Sequence, residues 1–278
     1  MTEQECLKKA KECEVSGDMT GSMRAYRAAA EEWNSAEAQY ELGNCYYFGA
    51  GVEQNPEEAV KWYTKSAEQG NADAQTNLGA AYYLGEGVQE DKREAVRWYF
   101  EAAIQGDEKA QYALGTCYQK GTGIEKNEVE AVRWYRMAAE QGDANAEFDL
   151  GNACFFGDGT EKDEEEEGII WYLKSAEQGH AWAQGMLGIC YRIGRGVAKN
   201  EAAAVKWYLK AAIQGNSCAM HDLGYCYDNG IGVKQNKAIA LMWYQKAKKL
   251  GDKDALLAVG LKMLERLAEM GTLRLEES

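Results

Sequence analysis

Any chemistry in this chain would come from its eight cysteines, its two histidines or its recurring glycine pairs. Cys218 and His221 stand three residues apart, a spacing that puts both on one face of a helix. Such a pair can begin a metal site or join a nucleophile to its base. Neither site is completed, because no second cluster of ligands or bases accompanies the pair and His180 stands apart from it. Cys45, Cys117, Cys190 and Cys226 each follow a recurring leucine by three positions, and Ala81 and Ala153 take that place elsewhere. Exchange with alanine marks a small buried position, so these are structural thiols. Cys6 and Cys13, seven apart, have a spacing common in helix cores. The pairs beginning at Gly49, Gly85, Gly121, Gly157, Gly194 and Gly230 have the Gly-x-Gly form of a phosphate loop. Each follows a helical pattern instead of a strand, which makes them helix caps. No Ser-x-x-Lys pair falls within a catalytic constellation. No catalytic, cofactor or metal residue is therefore assigned.

The elements that carry these residues repeat. Trp62-Tyr63, Trp98-Tyr99, Trp134-Tyr135, Trp171-Tyr172, Trp207-Tyr208 and Trp243-Tyr244 recur at a period of about 36 residues, with one step longer by a residue. Leu-Gly keeps the same rhythm from Leu42 through Leu78, Leu114, Leu150, Leu187 and Leu223. Each unit reads as two helices. In the unit from Ala72, the residues Ala74, Leu78, Ala81 and Tyr82 share one face of a first helix, A, which ends at Gly85. A second helix, B, opens at Asp91 with Glu94 three residues on. The pairs Asn55/Glu58, Asn127/Glu130 and Asp163/Glu166 repeat that pattern and resemble capping boxes. Pro56, the one proline, sits at a first helical position, where its missing N–H is tolerated. Helix B mixes Trp98 and Tyr99 with Ala95, Ala102 and Ala103, small residues that admit a close neighbour. The extra residue lies among Glu164 to Glu167, at the start of one B helix. The acidic run Asp163 to Glu167 reads as a solvated helix start in preference to a docking patch.

The pattern Ala-x-Ala-x-x-x-Leu-Gly-x-x-Tyr-x-x-Gly-x-Gly-Val, followed by Ala-x-x-Trp-Tyr-x-x-Ala-Ala-x-x-Gly, resembles the Sel1-like repeat, a relative of the tetratricopeptide repeat. The resemblance implies an all-α fold: a right-handed α/α superhelix, or solenoid, of antiparallel helix pairs whose A helices line a concave face. Residues 36–71, 72–107, 108–143, 144–180, 181–216 and 217–251 form six repeats on this reading. Residues 1–35 form a degenerate N-terminal capping pair, with Tyr26 in the tryptophan slot, and residues 252–278 a C-terminal capping helix and tail. The cysteine-rich branch of the family joins its two helices by disulfides. Its helix-B cysteine positions hold Ser66-Ala67, Ala102-Ala103 and Ala138-Ala139 here, which speaks against secretion and a disulfide framework.

The composition fits helices separated by glycine: 46% hydrophobic and 27% charged, with 30 glycines to one proline. A net charge of −14 argues against nucleic acid or an anionic membrane as the main partner, because phosphate binding needs a basic stripe. The first residues lack the basic and apolar regions of a secretory signal, and the expected location is cytoplasmic.

Positions fixed from copy to copy serve the stack, since each unit must present the same surface to its neighbour. Helix-A positions that vary are free to bind. Those five and two before the repeat leucine, and two and five after it, share one face. The candidates are Tyr40, Asn44 and Tyr47; Thr76 and Tyr83; Lys109, Tyr112 and Thr116; Asn145, Phe148, Asn152 and Phe155; Trp182 and Arg192; and His221, Tyr225 and Asp228. Aromatics interleaved with amides and hydroxyls suit an extended peptide, and equally suit the covering of seams between helices. The resemblance implies a non-enzymatic scaffold or adaptor, monomeric or weakly self-associating, that holds a protein or peptide in the groove. Two alternatives remain: a penicillin-binding or β-lactamase-like enzyme, as described for cysteine-rich relatives, and a structural self-assembly protein.

Overall fold

In a computed structural model of the chain, residues 1–160 and 165–251 are described; they form fourteen α-helices and no strand. Two compact units divide the chain, the first spanning Met1–Asp143 and the second beginning at Ala144. The first unit holds α1 (Glu3–Ser16), α2 (Met19–Glu32), α3 (Ala36–Phe48), α4 (Pro56–Glu68), α5 (Ala72–Leu84), α6 (Lys92–Ile104), α7 (Glu108–Lys120) and α8 (Glu128–Gln141). The second holds α9 (Ala144–Phe156), α10 (Glu165–Glu177), α11 (Ala181–Ile193), α12 (Glu201–Ile213), α13 (Ser217–Asn229) and α14 (Lys237–Lys249). Odd-numbered helices from α3 onward are A helices and even-numbered ones from α4 onward are B helices. Within each unit the chain is an α-solenoid of consecutive, antiparallel A/B pairs. Asp163 of the Asp163/Glu166 pair, and the capping helix expected from residue 252 onward, lie outside the described residues.

The core consists of successive seams. One seam gathers Ala59, Tyr63 and Ala67 of α4, Ala74 and Leu78 of α5, and Trp98 of α6, all buried. A repeat therefore hands its tyrosine and alanines forward to the next, and the next returns its tryptophan. Leu42, Leu78, Leu114, Leu150, Leu187 and Leu223 have no exposed surface. The glycine after each leucine is a point of close approach. A Cβ on Gly79 would stand 2.7 Å from the Tyr99 ring, and one on Gly115 2.7 Å from the Tyr135 ring.

A polar ladder crosses the seams. Gln39, Gln75, Gln111 and Gln184 are buried at one A-helix slot, and each accepts a hydrogen bond from a glutamine at the end of its own B helix: Gln69, Gln105, Gln141 and Gln214. Gln75, Gln111 and Gln184 also donate to main-chain carbonyls of the preceding B helix, at Ala67, Ala103 and Ala176. A buried amide satisfied at both ends fixes register between repeats, because a slip would strand it. Glu147 takes this slot in α9 and accepts from Gln178 at 2.8 Å.

Two details depart from expectation. The B-helix caps are half of a capping box. Asn55, Asp91 and Asn127 accept from the amides of Glu58, Glu94 and Glu130. Their own N–H groups are taken by carbonyls of the preceding A helix, at Tyr46, Tyr82 and Tyr118. The glutamates turn instead to Lys61, Arg97 and Arg133 one turn along. The Gly-x-Gly pairs also divide their labour. Gly85, at φ 73°, caps α5 in the left-handed conformation that a side chain resists. The second glycine, Gly87, lies so close to the Pro56 carbonyl that no Cβ would fit. It is a packing residue between repeats as well as a turn residue.

Candidate functional site

The variable face of the A helices is built on the buried tyrosines of the B helices. In the first unit, Tyr40 lies 6.1 Å from the Tyr63 ring and Asn44 accepts the Tyr63 hydroxyl at 2.7 Å. Asn77, one residue before a repeat leucine, donates to the same Asn44 oxygen at 3.4 Å. Two repeats on, Tyr112 lies 5.7 Å from Tyr135, whose hydroxyl meets Thr116 and Gln119. Thr76 donates to Asp107, the cap of α7, at 3.0 Å. Tyr40, Asn44, Tyr47, Thr76, Tyr83, Tyr112 and Thr116 are half-buried, and Lys109 is exposed.

The second unit repeats the arrangement. Phe148 lies 6.0 Å from Tyr172 and 4.7 Å from His180, while Asn152 accepts the Tyr172 hydroxyl at 2.8 Å. Arg192 donates to the Tyr208 hydroxyl at 3.1 Å and extends toward the Tyr225 ring. The His221 ring lies 5.4 Å from that of Tyr244, tilted by 43°. Asn145, Trp182 and Tyr225 are exposed, and Asp228 is half-buried. Phe155 is a correction: it is 4% exposed, because the Arg195 guanidinium lies over its ring at 4.1 Å and Phe156 and Tyr172 pack beside it. It belongs to the core and offers no free surface.

The two roles weighed for these aromatics are thus combined in single residues. In the repeats of Leu42, Leu114 and Leu150 the ring two before the leucine, Tyr40, Tyr112 or Phe148, covers a tyrosine ring, and the polar side chain two after, Asn44, Thr116 or Asn152, meets its hydroxyl, while both stay half-buried with an outer edge in solvent. Spacing alone missed a further position, six after the leucine. Phe48, Leu84, Phe156 and Ile193 occupy it, all at least half exposed. Its variability from copy to copy was visible, but it lies off the 3.6-residue face traced from the leucine.

The four thiols that follow a repeat leucine are set apart from chemistry. Burial pushes the Cys190 thiol up to about 12 and those of Cys45, Cys117 and Cys226 up to about 11, far from the thiolate range that nucleophiles and metal ligands require. Cys218 is exposed. His221 Nδ1 lies 4.0 Å from an Asp222 carboxylate oxygen, and His180 caps α11 by accepting from the Ala183 amide. Among the described residues no group of three or more His, Cys, Asp and Glu side chains is arranged to hold a metal ion. Nor is any described helix long and apolar enough to cross a membrane.

The Sel1 repeat family model matches six segments: residues 36–71, 72–107, 108–143, 144–180, 183–216 and 219–252. The chain belongs to the Sel1 repeat family. A crystal structure of c5321, a protective antigen of uropathogenic Escherichia coli with this fold, is 34% identical over 93% of the chain, with a TM-score of 0.83. The chain spans 58% of the length of that protein. A Sel1 repeat protein from Oxalobacter formigenes is 35% identical over 87% of this chain and 96% of its own, with a TM-score of 0.77. No curated protein matches the chain. Sel1 repeat proteins generally serve as protein-interaction scaffolds and not as enzymes.

Proposed function

We propose that this Sel1 repeat protein is a non-enzymatic scaffold that holds a segment of another protein along the exposed face of its A helices. The observation that carries the reading is the contrast within each A helix. The repeat leucine and glycine are buried in every copy, while the face that changes from copy to copy keeps amide, hydroxyl and aromatic edges in solvent. Stacking accounts for the first set in full, and for the second only on the inner edge that meets the B-helix tyrosines. Half-exposed aromatics beside amides supply apolar contact and main-chain hydrogen bonds to the same extended segment. The family's general use as a protein-interaction scaffold points the same way. The cytoplasm remains the proposed location, and the partner a protein.

The test is a selection of peptides on the full chain from a random phage-displayed library, followed by titration of the selected synthetic peptides against Tyr112→Ala and Phe148→Ala variants. Loss of affinity by about 10-fold with unchanged circular dichroism and thermal midpoint is the expected result. Unfolding of both variants with no selective loss would assign these aromatics to the seams alone.

A further inference from the structure

The ring at the position five after the repeat leucine carries a cation wherever the chain supplies one. In the first unit the Lys92 ammonium lies over Tyr83, 4.1 Å from the ring centre, and also donates to the Tyr83 carbonyl. In the second unit the Arg195 guanidinium lies over Phe155 at 4.1 Å and donates to the Phe155 carbonyl at 3.1 Å. Tyr47 is the same position one repeat before Tyr83, and it has neither cation. Pro56 stands in the slot of Lys92, at the first position of a B helix, and Glu86 stands in the slot of Arg195, inside a Gly-x-Gly pair.

The charge at the Tyr47 ring is therefore reversed. The Tyr47 hydroxyl donates to Glu86 Oε2 at 2.8 Å, and no cation pairs with Glu86 among the described residues. Beside it opens a cavity of about 110 Å³ lined by Tyr47, Phe48, Val60, Ala80, Leu84 and Glu86, with Phe48 73% and Leu84 58% exposed. That volume admits one apolar side chain and falls well below the roughly 300 Å³ at which small-molecule and cofactor sites begin.

We infer that this cleft receives an apolar side chain and an adjacent arginine or lysine from a segment of a partner protein. The apolar group fills the cavity between Val60, Ala80 and Leu84. The cation lies over the Tyr47 ring and against Glu86, as Lys92 and Arg195 do intramolecularly at the equivalent rings. The inference rests on the scaffold reading and narrows it to a sequence preference. The chain's acidic balance, with 45 acidic against 31 basic side chains, favours the same partner chemistry.

The experiment uses the full chain and the synthetic peptides selected on it from the random library. The expected peptides share an apolar residue beside Arg or Lys. Replacing that Arg by neutral citrulline, or Glu86 by Gln, weakens binding about 10-fold, and the two changes together weaken it little further. Leu84→Ser, at an exposed position, also weakens binding without lowering the thermal midpoint. Glu86→Lys reverses the preference toward peptides in which Glu replaces the Arg. Selected peptides that ignore Glu86→Gln and Leu84→Ser but lose affinity in Tyr112→Ala would overturn this inference and leave the scaffold reading intact. Failure of the library to yield any binder would overturn both.

Discussion

Cys190 illustrates how far one side chain's chemistry is decided by its slot. It has no exposed surface, and burial, outweighing the nearby Arg195 guanidinium that favours the thiolate, pushes its thiol up to about 12, against an ordinary value near 8.5. Cys45, Cys117 and Cys226, in the same slot of other repeats, follow it. Tyr63, Tyr99, Tyr172, Tyr208 and Tyr244 are also raised, chiefly by burial. Raised values in the folded state mean that the unfolded chain sheds these protons first as pH rises. The stabilisation is complete below about pH 8.5 and declines through the interval up to about 12. The thermal midpoint should accordingly fall steeply above pH 9, and differential scanning fluorimetry across pH 7 to 11 measures it. Alkylation of the native protein near neutral pH should label Cys218 rapidly and leave Cys117, Cys190 and Cys226 unmodified until denaturant is added, read by intact-mass spectrometry. Rapid native labelling of Cys190 would contradict its burial.

At the scale of the helix pair, the period and the leucine, glycine and tryptophan slots were legible because stacking demands the same surface from every copy. What was not legible is how the fixed and variable sets interlock. The Tyr63 hydroxyl reaches across to Asn44, so a residue read as free for binding also satisfies a buried phenol. Phe155 departs from the spacing for a related reason: the residue that covers it, Arg195, stands forty positions away in the next repeat. A helical periodicity reports one helix at a time and cannot register that cover. The capping pattern likewise named the acceptor side chains correctly, but the second half of the motif is displaced by A-helix carbonyls that come from outside the B helix. The glycine after each leucine gives the clearest test at this scale. Gly115→Ala would gain up to about 1 kcal/mol of helix propensity. Against that, the added methyl would meet the Tyr135 ring at 2.7 Å and the Ala131 carbonyl at 3.2 Å, in a seam with no room to yield. Overpacking of this kind costs about 1–3 kcal/mol, so the net change should be destabilising by up to about 2 kcal/mol in chemical denaturation. A stabilised Gly115→Ala protein would mean that α7 and α8 can separate freely.

Over the whole molecule, a net charge of −14 acts on any partner before contact. The charge follows from which positions each repeat leaves free: the frame is apolar, small or amide, and acidic side chains occupy much of what remains. Surface ion pairs such as Lys61 with Glu58 and Arg133 with Glu130 join an exposed cation to a half-buried carboxylate and contribute little to stability. The field's larger consequence is kinetic. A basic segment is drawn toward an acidic surface at long range, and added salt screens that attraction over a Debye length of about 8 Å at physiological ionic strength. If the Tyr47 cleft takes an apolar side chain beside a cation, the two contributions separate by rate. Raising salt from about 50 to 500 mM should slow association of a selected peptide by roughly 10-fold or more, while dissociation, governed by the buried side chain against Val60, Ala80 and Leu84, changes far less. Leu84→Ser should do the opposite, speeding dissociation and leaving the salt dependence of association intact. Stopped-flow fluorescence with labelled peptide resolves both constants. Association that ignores salt would sever the acidic surface from recognition, whatever affinity the cleft retains.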